Sequence, residues 1–428
     1  MLSRMEHDSI GALNVPAEAY YGVQSMHAAT NFQITHRPLH PVLIDSIVMV
    51  KKAAAITNEK SGKLDQQIAQ AIIKACDEIL DGNLRDQFIV DAIQGGAGTS
   101  ANMNANEVIA NRAIEILGGT KGDYSIVHPN DHVNMSQSTN DVIPTAGKIT
   151  VLKLLPQTIK ELEKLEKAME EKEAEFDDIL KMGRTQLQDA VPMRLGQSFG
   201  AFAHVLKRDI KRLKNVMDEM KVLNIGATAI GTAINVDPYY LANISYELSK
   251  VAGISLKQAD DLIDATQNLD GFVSVSGVLK TCAVGISKIS NDLRLMSSGP
   301  RTGLSEINLP ARQNGSSIMP GKINSVIPEV VSQVAYLIIG HDYTITMAAE
   351  AGQCEEYIEK SVGISTALCP YIGYAKSAEI AKKSLKTGIS VKELVLEEGL
   401  LKEEELKEIL KPEKMTQPMR EKVMKAVS

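Results

Sequence analysis

The residues with the most distinctive chemistry lie in one ten-residue segment, GSSIMPGKIN, which runs from Gly315 to Asn324. Two adjacent hydroxyl side chains, Ser316 and Ser317, follow the glycine, and Lys322 comes shortly after them. A serine can act as a base where N–H groups and positive charge stabilise its alkoxide, and a lysine with an asparagine can hold an anion. The alternative interpretation, an exposed loop between helices, explains this combination of residue types less well.

A second segment, residues 95–100, reads GGAGTS and precedes three asparagines at alternate positions from residue 102 to residue 106. The free N–H groups at the start of a helix, together with the hydroxyl of Thr99, could hold an anion. An ordinary glycine-rich loop before a capped helix explains the same residues. A phosphate-binding P-loop is excluded, because no Lys-Ser or Lys-Thr pair follows the glycines.

A third segment, residues 128–141, reads HPNDHVNMSQSTND. Its hydroxyls and amides, among them Ser138, Thr139 and Asn140, are denser than a single helix cap needs, and they suit a carboxylate or an amine. The two histidines have the spacing of metal ligands on a helix. The proline between them interrupts the helix that this geometry requires, so we expect no metal here.

A fourth segment, residues 181–190, reads KMGRTQLQDA and separates two long helical patterns. It contains Thr185 and Gln186, whose side chains could contact a polar ligand. Taken alone, the segment is equally open to two interpretations: a connection between helices with Asp189 as a cap, or part of a functional site.

The elements that must position these segments are helical. The 428 residues are 44% apolar and only 4% aromatic, with no Trp, and their usage is typical of long packed helices. Apolar residues recur at three- and four-residue steps from about Ile143 to Glu350. We therefore predict a mainly all-α fold with a mixed N-terminal domain (residues 1–140), a central bundle of long helices (141–353) and a small helical C-terminal domain (354–428).

Shorter patterns predict individual helices outside the bundle. The N-terminal domain is expected to contain helices over residues 41–61, 65–80 and 104–117. In the C-terminal domain the Lys/Glu-rich stretch from Ser390 to Leu410 predicts two small helices, separated near Gly399.

Charge and composition exclude several classes of partner. The formal net charge is −7 with both signs interspersed, which gives no basic surface for nucleic acid. The four cysteines are far apart and are expected to be reduced thiols. We find no apolar signal region at the N-terminus and expect no stretch long enough to span a bilayer. We therefore expect a cytoplasmic protein that binds neither nucleic acid nor membrane.

The segment GSSIMPGKIN resembles the GSSxMPxKxN signature of the fumarase/aspartase superfamily. The other three segments resemble the substrate-contact regions of the same superfamily, in the same chain order. The resemblance extends from about Arg4 to Gln353 and resumes from about Tyr357. It implies a lyase that removes a Cβ proton, stabilises the resulting aci-carboxylate and expels the α-substituent, with neither a metal nor an organic cofactor. It also implies a homotetramer in which each active site draws segments from three chains.

The resemblance assigns roles by position. Ser316 is implied as the catalytic base. The residues implied to bind the substrate fall into three groups: Thr99, Ser138, Thr139 and Ser317 at the β-carboxylate, Lys322, Asn324 and Thr185 at the α-carboxylate, and Asn140 at the amino group.

Gln186 favours one reaction within the superfamily. Fumarases carry a histidine at this position that takes part in handling water, and an amide cannot do acid–base work near pH 7. The resemblance therefore favours the ammonia-lyase reaction, in which L-aspartate is interconverted with fumarate and ammonia. A hydratase acting on malate and fumarate is the alternative.

The chain departs from the superfamily pattern after Gln353. Relatives continue there into a long apolar helix, whereas this chain leads almost directly to Tyr357. About forty residues are absent, which at 1.5 Å per residue corresponds to about 60 Å of helix. We predict that one bundle helix is missing, and a shortened, non-catalytic helical paralogue is therefore a further interpretation.

Overall fold

A computed structural model describes residues 2–351, 368–387 and 389–410, and it confirms the mainly helical fold. The helices are α1 (Val23–Asn31), α2 (Pro41–Lys60), α3 (Gln66–Leu80), α4 (Thr99–Ile116), α5 (Thr139–Glu175), α6 (Leu195–Met220), α7 (Pro238–Ala252), α8 (Leu262–Gln267), α9 (Asp270–Met296), α10 (Val326–Glu350), α11 (Cys369–Ile372), α12 (Tyr374–Thr387), α13 (Val391–Glu397) and α14 (Glu403–Ile409).

The strands are short and form three two-stranded sheets. The pairs β1 with β2 and β3 with β4 are antiparallel, and β5 with β6 is parallel. Their bounds are β1 (Ser3–His7), β2 (Ala12–Pro16), β3 (Leu180–Thr185), β4 (Gln188–Arg194), β5 (Val222–Leu223) and β6 (Lys257–Gln258).

Local signals explain where the N-terminal helices begin. His40 caps α2 ahead of Pro41, and the Asp65 carboxylate accepts hydrogen bonds from the first free N–H groups of α3. Both helices agree with the prediction to within one residue. By contrast, α4 begins at Thr99, five residues before the predicted start, because the glycine-rich loop ends at Gly98, whose φ is 87°.

By spatial contacts the chain divides into two compact units. The first contains residues 1–150, 221–268 and 352–428, and the second contains residues 151–220 and 269–351. These boundaries follow contacts rather than chain order, and the division into domains at residues 140 and 353 stays a prediction.

In the first unit, α2 packs against α3, α4 and α7, and branched side chains such as Ile47, Ile72 and Ile109 are fully buried. A separate apolar cluster joins α12, α13 and α14 through residues such as Ile380, Leu394 and Leu406. The helices α13 and α14 lie on either side of Gly399, as predicted.

In the second unit, α9 packs against both α6 and α10. The predicted apolar periodicity continues through α10, but several of its apolar side chains are exposed in the single chain: Val330, Val334, Leu337 and Ile345. The segment between the long helices α5 and α6 is a β-hairpin, β3–β4, rather than a simple connection. The predicted absence of a bundle helix after Gln353 concerns residues outside the described ranges.

By length and composition alone, α9 could cross a membrane, contrary to our expectation that no stretch would be long enough. The helix packs against two others and carries charged residues such as Lys288 and Asp292. Core helices of soluble proteins have the same length and composition.

Candidate functional site

The glycine-rich loop brings Thr99 to the start of α4. Gly98 has a left-handed conformation, and a Cβ atom there would lie 2.9 Å from Cγ1 of Ile143 on α5, so only glycine fits. Thr99 is the first residue of α4, and its hydroxyl donates to the carbonyl oxygen of Gly96 at 2.7 Å. The loop is therefore closed on itself, with Thr99 exposed at the N-terminal end of the helix.

A buried polar network joins this helix end to the third segment. Asn102, one turn beyond Thr99, donates to the hydroxyl of Thr139 at 3.3 Å. Its amide also donates to Oδ1 of Asn134 at 3.1 Å. Residues three apart on a helix share a face, so Thr99 and Asn102 lie on the same face of α4, and Asn102 contacts Thr139.

Lys51 of α2 supports the network from the interior. Its fully buried ammonium donates to Oδ1 of Asn134 at 2.8 Å and to Oε1 of Gln137 at 2.9 Å. Burial lowers the pKa of the Lys51 ammonium to about 7, although the negative charge of Asp141 acts in the opposite direction and raises it. Lys51 is not among the residues predicted from the sequence, although its position in the apolar face of α2 is a signal that indicates burial.

Asp141 fixes the other end of the segment. One of its oxygens accepts from the main-chain N–H of Ser138 at 2.9 Å, and the other accepts from Gly226 and Thr228 at 3.1 Å each. Burial raises the pKa of the Asp141 carboxyl to about 6. The side-chain amide of Asn140 donates to the carbonyl oxygen of Ala229 at 2.7 Å. The loop containing residues 226–229 thus orients Ser138 and Asn140, a role that was not predicted from the sequence.

The hairpin β3–β4 presents Thr185 and Gln186. Thr185 pairs with Gln188, and the two residues between them, Gln186 and Leu187, have φ values of 52° and 63°. Two left-handed residues make the tight turn that matches the twist of a hairpin, but glycine or asparagine is the usual choice. Residues other than glycine and asparagine are strained in this left-handed conformation, and such strain clusters at functional sites.

The loop between α9 and α10 shapes the surroundings of Ser316. The Ser316 hydroxyl oxygen accepts hydrogen bonds from the main-chain N–H groups of Ile318 at 3.2 Å and Met319 at 3.0 Å. Two converging donors stabilise negative charge on this oxygen. Ser316 is partly buried, and Ser317 next to it is exposed.

Lys322 and Asn324 return the loop to its starting glycine. Gly315 donates its main-chain N–H to the carbonyl oxygen of Lys322 at 2.8 Å, and Asn324 donates its side-chain amide to the carbonyl oxygen of Gly315 at 3.0 Å. The exposed Lys322 and the partly buried Asn324 are thereby brought close to the two serines.

The predicted site residues thus fall into two groups. Thr99, Ser138, Thr139 and Asn140 lie in the first unit, and Thr185, Gln186, Ser316, Ser317, Lys322 and Asn324 lie in the second. In the first unit the contacts given above link the start of α4 to Thr139, and in the second they link Gly315 to Lys322 and Asn324.

Two further features bear on what the site could hold. A cavity of about 590 Å³ in the first unit is lined by Thr99, His27, Glu107 and His128, among others, and not by Ser138, Thr139 or Asn140. Within residues 2–351, 368–387 and 389–410, no three His, Cys, Asp or Glu side chains are grouped as a metal site would need.

Known protein families match most of the chain. The sequence profile of a lyase family matches residues 11–340, and that of the C-terminal region of fumarase C matches residues 364–417.

Several curated relatives are similar over nearly their whole length, and each is described as an aspartate ammonia-lyase. One from a Bacillus species is 50% identical, over 97% of this chain and 98% of its own. That of Bacillus subtilis is 49% identical, over 97% of this chain and 96% of its own. That of Escherichia coli is 45% identical, over 97% of this chain and 96% of its own.

Two solved structures resemble this chain in fold. A "fumarate lyase:delta crystallin" from Brucella melitensis, bound to cobalt, has a TM-score of 0.81 at 46% identity, over 97% of this chain and all of that one. A class II fumarase from Schistosoma mansoni has a TM-score of 0.79 at 32% identity, over 98% of this chain and all of that one.

The alignment with the Bacillus enzyme bears on the missing segment. It extends over 457 positions, which exceeds the 428 residues of this chain by 29, so at least 29 positions have no counterpart here. The two family profiles leave residues 341–363 unmatched between them. The length of the alignment agrees with the predicted loss of a segment relative to the Bacillus enzyme.

Proposed function

The chain belongs to the fumarase/aspartase superfamily of lyases, and we propose that it is an ammonia-lyase that interconverts L-aspartate with fumarate and ammonia. The observation that carries the proposal is the near-complete similarity to aspartate ammonia-lyases at 45–50% identity. The hydrogen-bonded Ser316 hydroxyl supports it, because the reaction needs a base that removes a weakly acidic proton.

Ser316, as an alkoxide, removes a proton from Cβ of L-aspartate and becomes a neutral hydroxyl. The electron pair of the broken C–H bond moves into the β-carboxylate, which becomes a doubly negative aci-carboxylate. Because the barrier arises mainly from this charge, donors already in place lower it. Thr99, Ser138, Thr139 and Ser317 are the proposed donors.

In the second step the electron pair returns to form the Cα–Cβ double bond, and the C–N bond breaks. The nitrogen leaves with its electron pair as ammonia, and fumarate remains. Asn140 contacts the amino group in this proposal. The α-carboxylate is held by Thr185, Lys322 and Asn324, where Lys322 supplies positive charge and the other two supply neutral hydrogen bonds.

Gln186 stands beside Thr185 in the strained turn and contacts the substrate as a neutral amide. Since it carries no titrating proton near pH 7, it suits a reaction in which the leaving group departs as an amine. The likeness to a class II fumarase keeps malate as the alternative substrate.

The proposal includes a cytoplasmic homotetramer that acts on small molecules. The exposed apolar side chains of α10, such as Val334 and Leu337, support association, because such stripes are normally covered. The buried thiols of Cys76 and Cys282, neither in a disulfide, support a reducing compartment. Cys354 lies outside the described residues.

The test is a side-by-side assay of the purified chain with L-aspartate and with L-malate, in which fumarate is detected by its ultraviolet absorbance. We expect fumarate from L-aspartate and little from L-malate. Light scattering on the same sample measures the mass of the assembly. A tetramer that is silent with L-aspartate would contradict the ammonia-lyase, and a monomer would favour the shortened, non-catalytic paralogue.

A further inference from the structure

Glu306 joins the Ser316 loop to the hairpin that carries Thr185 and Gln186. Its carboxylate accepts from Nη1 of Arg184 at 3.1 Å and also contacts Nη2 of the same guanidinium. The other cation of β3, Lys181, lies 3.1 Å from the same carboxylate through its Nζ atom. One carboxylate thus bridges two cations of a single strand.

The main chain of Glu306 is fixed as firmly as its side chain. Its N–H donates to the carbonyl oxygen of Met296, the last residue of α9, at 2.8 Å. The preceding residue, Ser305, donates to the carbonyl oxygen of Ser298 at 2.9 Å. Residues 296–306 therefore form a closed turn, and Glu306 is its attachment point to the hairpin.

The bridge differs from an ordinary surface ion pair in its burial. The side chains of Glu306, Lys181 and Arg184 are 16%, 12% and 20% exposed, respectively. Hydrogen bonding from Arg184 keeps the pKa of the Glu306 carboxyl below its ordinary value, so the carboxylate is charged at neutral pH. Poor exposure reduces screening by water, and the bidentate guanidinium contact fixes direction as well as distance.

Both partners of the bridge lie close in the chain to residues of the proposed site. Arg184 directly precedes Thr185, and Glu306 lies ten residues before Ser316 in the same loop. A shift of either partner is therefore transmitted to a residue proposed to bind substrate or to remove its proton.

We propose that Glu306 is a positioning residue, which holds the loop containing Ser316, Lys322 and Asn324 in register with the hairpin containing Thr185 and Gln186. The inference rests on the proposed function for its kinetic consequence, since Glu306 acts in this proposal only through the loop and the hairpin that it joins. The tether is a property of the fold and can be measured without activity.

The test compares Glu306→Gln with the wild type in kinetics and in hydrogen exchange. Misplacement of catalytic groups by about 1 Å costs about 100-fold in rate, so we expect kcat to fall about 10- to 100-fold. KM should change by a smaller factor than kcat, because the first unit still contributes its proposed substrate contacts. Amide exchange in residues 306–325 should become faster.

Glu163→Gln is the matched control. Glu163 of α5 pairs with Lys214 of α6 at 2.6 Å in the same unit, but both side chains are about half exposed. This variant should leave kcat and loop exchange unchanged. An ion pair with only a structural role at residue 306 would lower the melting temperature and leave kcat unchanged, which would overturn the proposal.

A double-mutant cycle with Arg184→Met shows whether Glu306 acts on the hairpin through Arg184. If Glu306 acts through Arg184, the double variant loses no more activity than the worse single variant, whereas losses that multiply would overturn the proposal. If Glu306→Gln does not fold, Lys181→Met removes one of the two ion pairs of Glu306 instead. Unchanged amide exchange in residues 306–325 of that variant would overturn the proposal. A wild type inactive on L-aspartate would contradict the proposed function alone, because loop exchange still tests the tether.

Discussion

The main-chain N–H of Met319 donates a hydrogen bond to the Ser316 hydroxyl oxygen at 3.0 Å. Both residues belong to one short turn, so the donor that stabilises the oxygen comes from the same loop as the oxygen itself. Ile318 adds a second N–H at 3.2 Å. The loop therefore positions the proposed base and favours its charged form at once.

Ser316→Ala should abolish most of the activity without altering the fold. Loss of a general base costs about 10²- to 10⁴-fold in kcat. Fumarate formation from L-aspartate measures the loss, and circular dichroism checks that the helices remain. Ser317→Ala is the control, since Ser317 offers only a carboxylate contact in our proposal and should lose less. Equal activity in the two variants would contradict the role of Ser316.

Gly315→Ala should disturb the loop through packing alone. A Cβ atom at residue 315 would lie 2.6 Å from Cγ of Asn324, a distance that forces the asparagine or the main chain to move. Since Asn324 is proposed to bind substrate, we expect kcat/KM to fall about 100-fold. Gly11→Ala is the control, because a Cβ atom there meets nothing within 4 Å. Similar kinetics in the two variants would show that the loop tolerates the displacement.

Local signals in the sequence were enough to predict several helices. Asp65 caps the start of α3 and Gly399 separates α13 from α14, and such signals are readable because caps and apolar periodicity act within a few residues. The β3–β4 hairpin was missed because Gln186 and Leu187 occupy a turn that normally uses asparagine and glycine.

Long-range contacts explain what the sequence could not predict about the site. Lys51 is an ordinary helix residue by type, and its burial follows from contacts with residues more than eighty positions away. The side chain of Glu306 likewise pairs with two cations that lie over a hundred residues earlier in the chain. The residues implied by resemblance were identifiable, whereas those that orient them required the fold.

Gln186→Gly should separate stability from activity. Gln186 has a φ of 52°, and the left-handed conformation costs a non-glycine residue about 1–2 kcal/mol, part of which glycine's greater chain entropy offsets. We therefore expect a modest gain in the free energy of unfolding together with lower activity, because the amide contact is lost. Urea unfolding and steady-state kinetics measure the two effects.

Leu187→Gly is the matched control for that experiment. Leu187 is the second residue of the same turn, with a φ of 63°, and its side chain is 71% exposed. It should gain stability by a similar amount and keep its activity. A Gln186→Gly variant with undiminished activity would argue against a substrate contact at this position.

Lys51→Met should remove a specific pH dependence of stability. Burial lowers the Lys51 pKa to about 7 from an ordinary value of 10.5. Between these values the unfolded chain binds a proton that the folded protein has released, so the Lys51 contribution makes the free energy of unfolding rise with pH by up to about 1.4 kcal/mol per unit. Below pH 7 both states bind the proton, and the contribution is constant.

The measurement is urea unfolding of both proteins from about pH 6 to pH 10, with the difference in free energy of unfolding plotted against pH. We expect the difference, wild type minus variant, to be flat up to pH 7 and to rise above it. Lys52→Met is the control, because Lys52 is partly exposed and pairs with Asp77. If the difference in free energy of unfolding for Lys51→Met were flat across the whole range, the buried amine would be charged throughout. That result would contradict a Lys51 pKa of about 7 beneath Asn134 and Gln137.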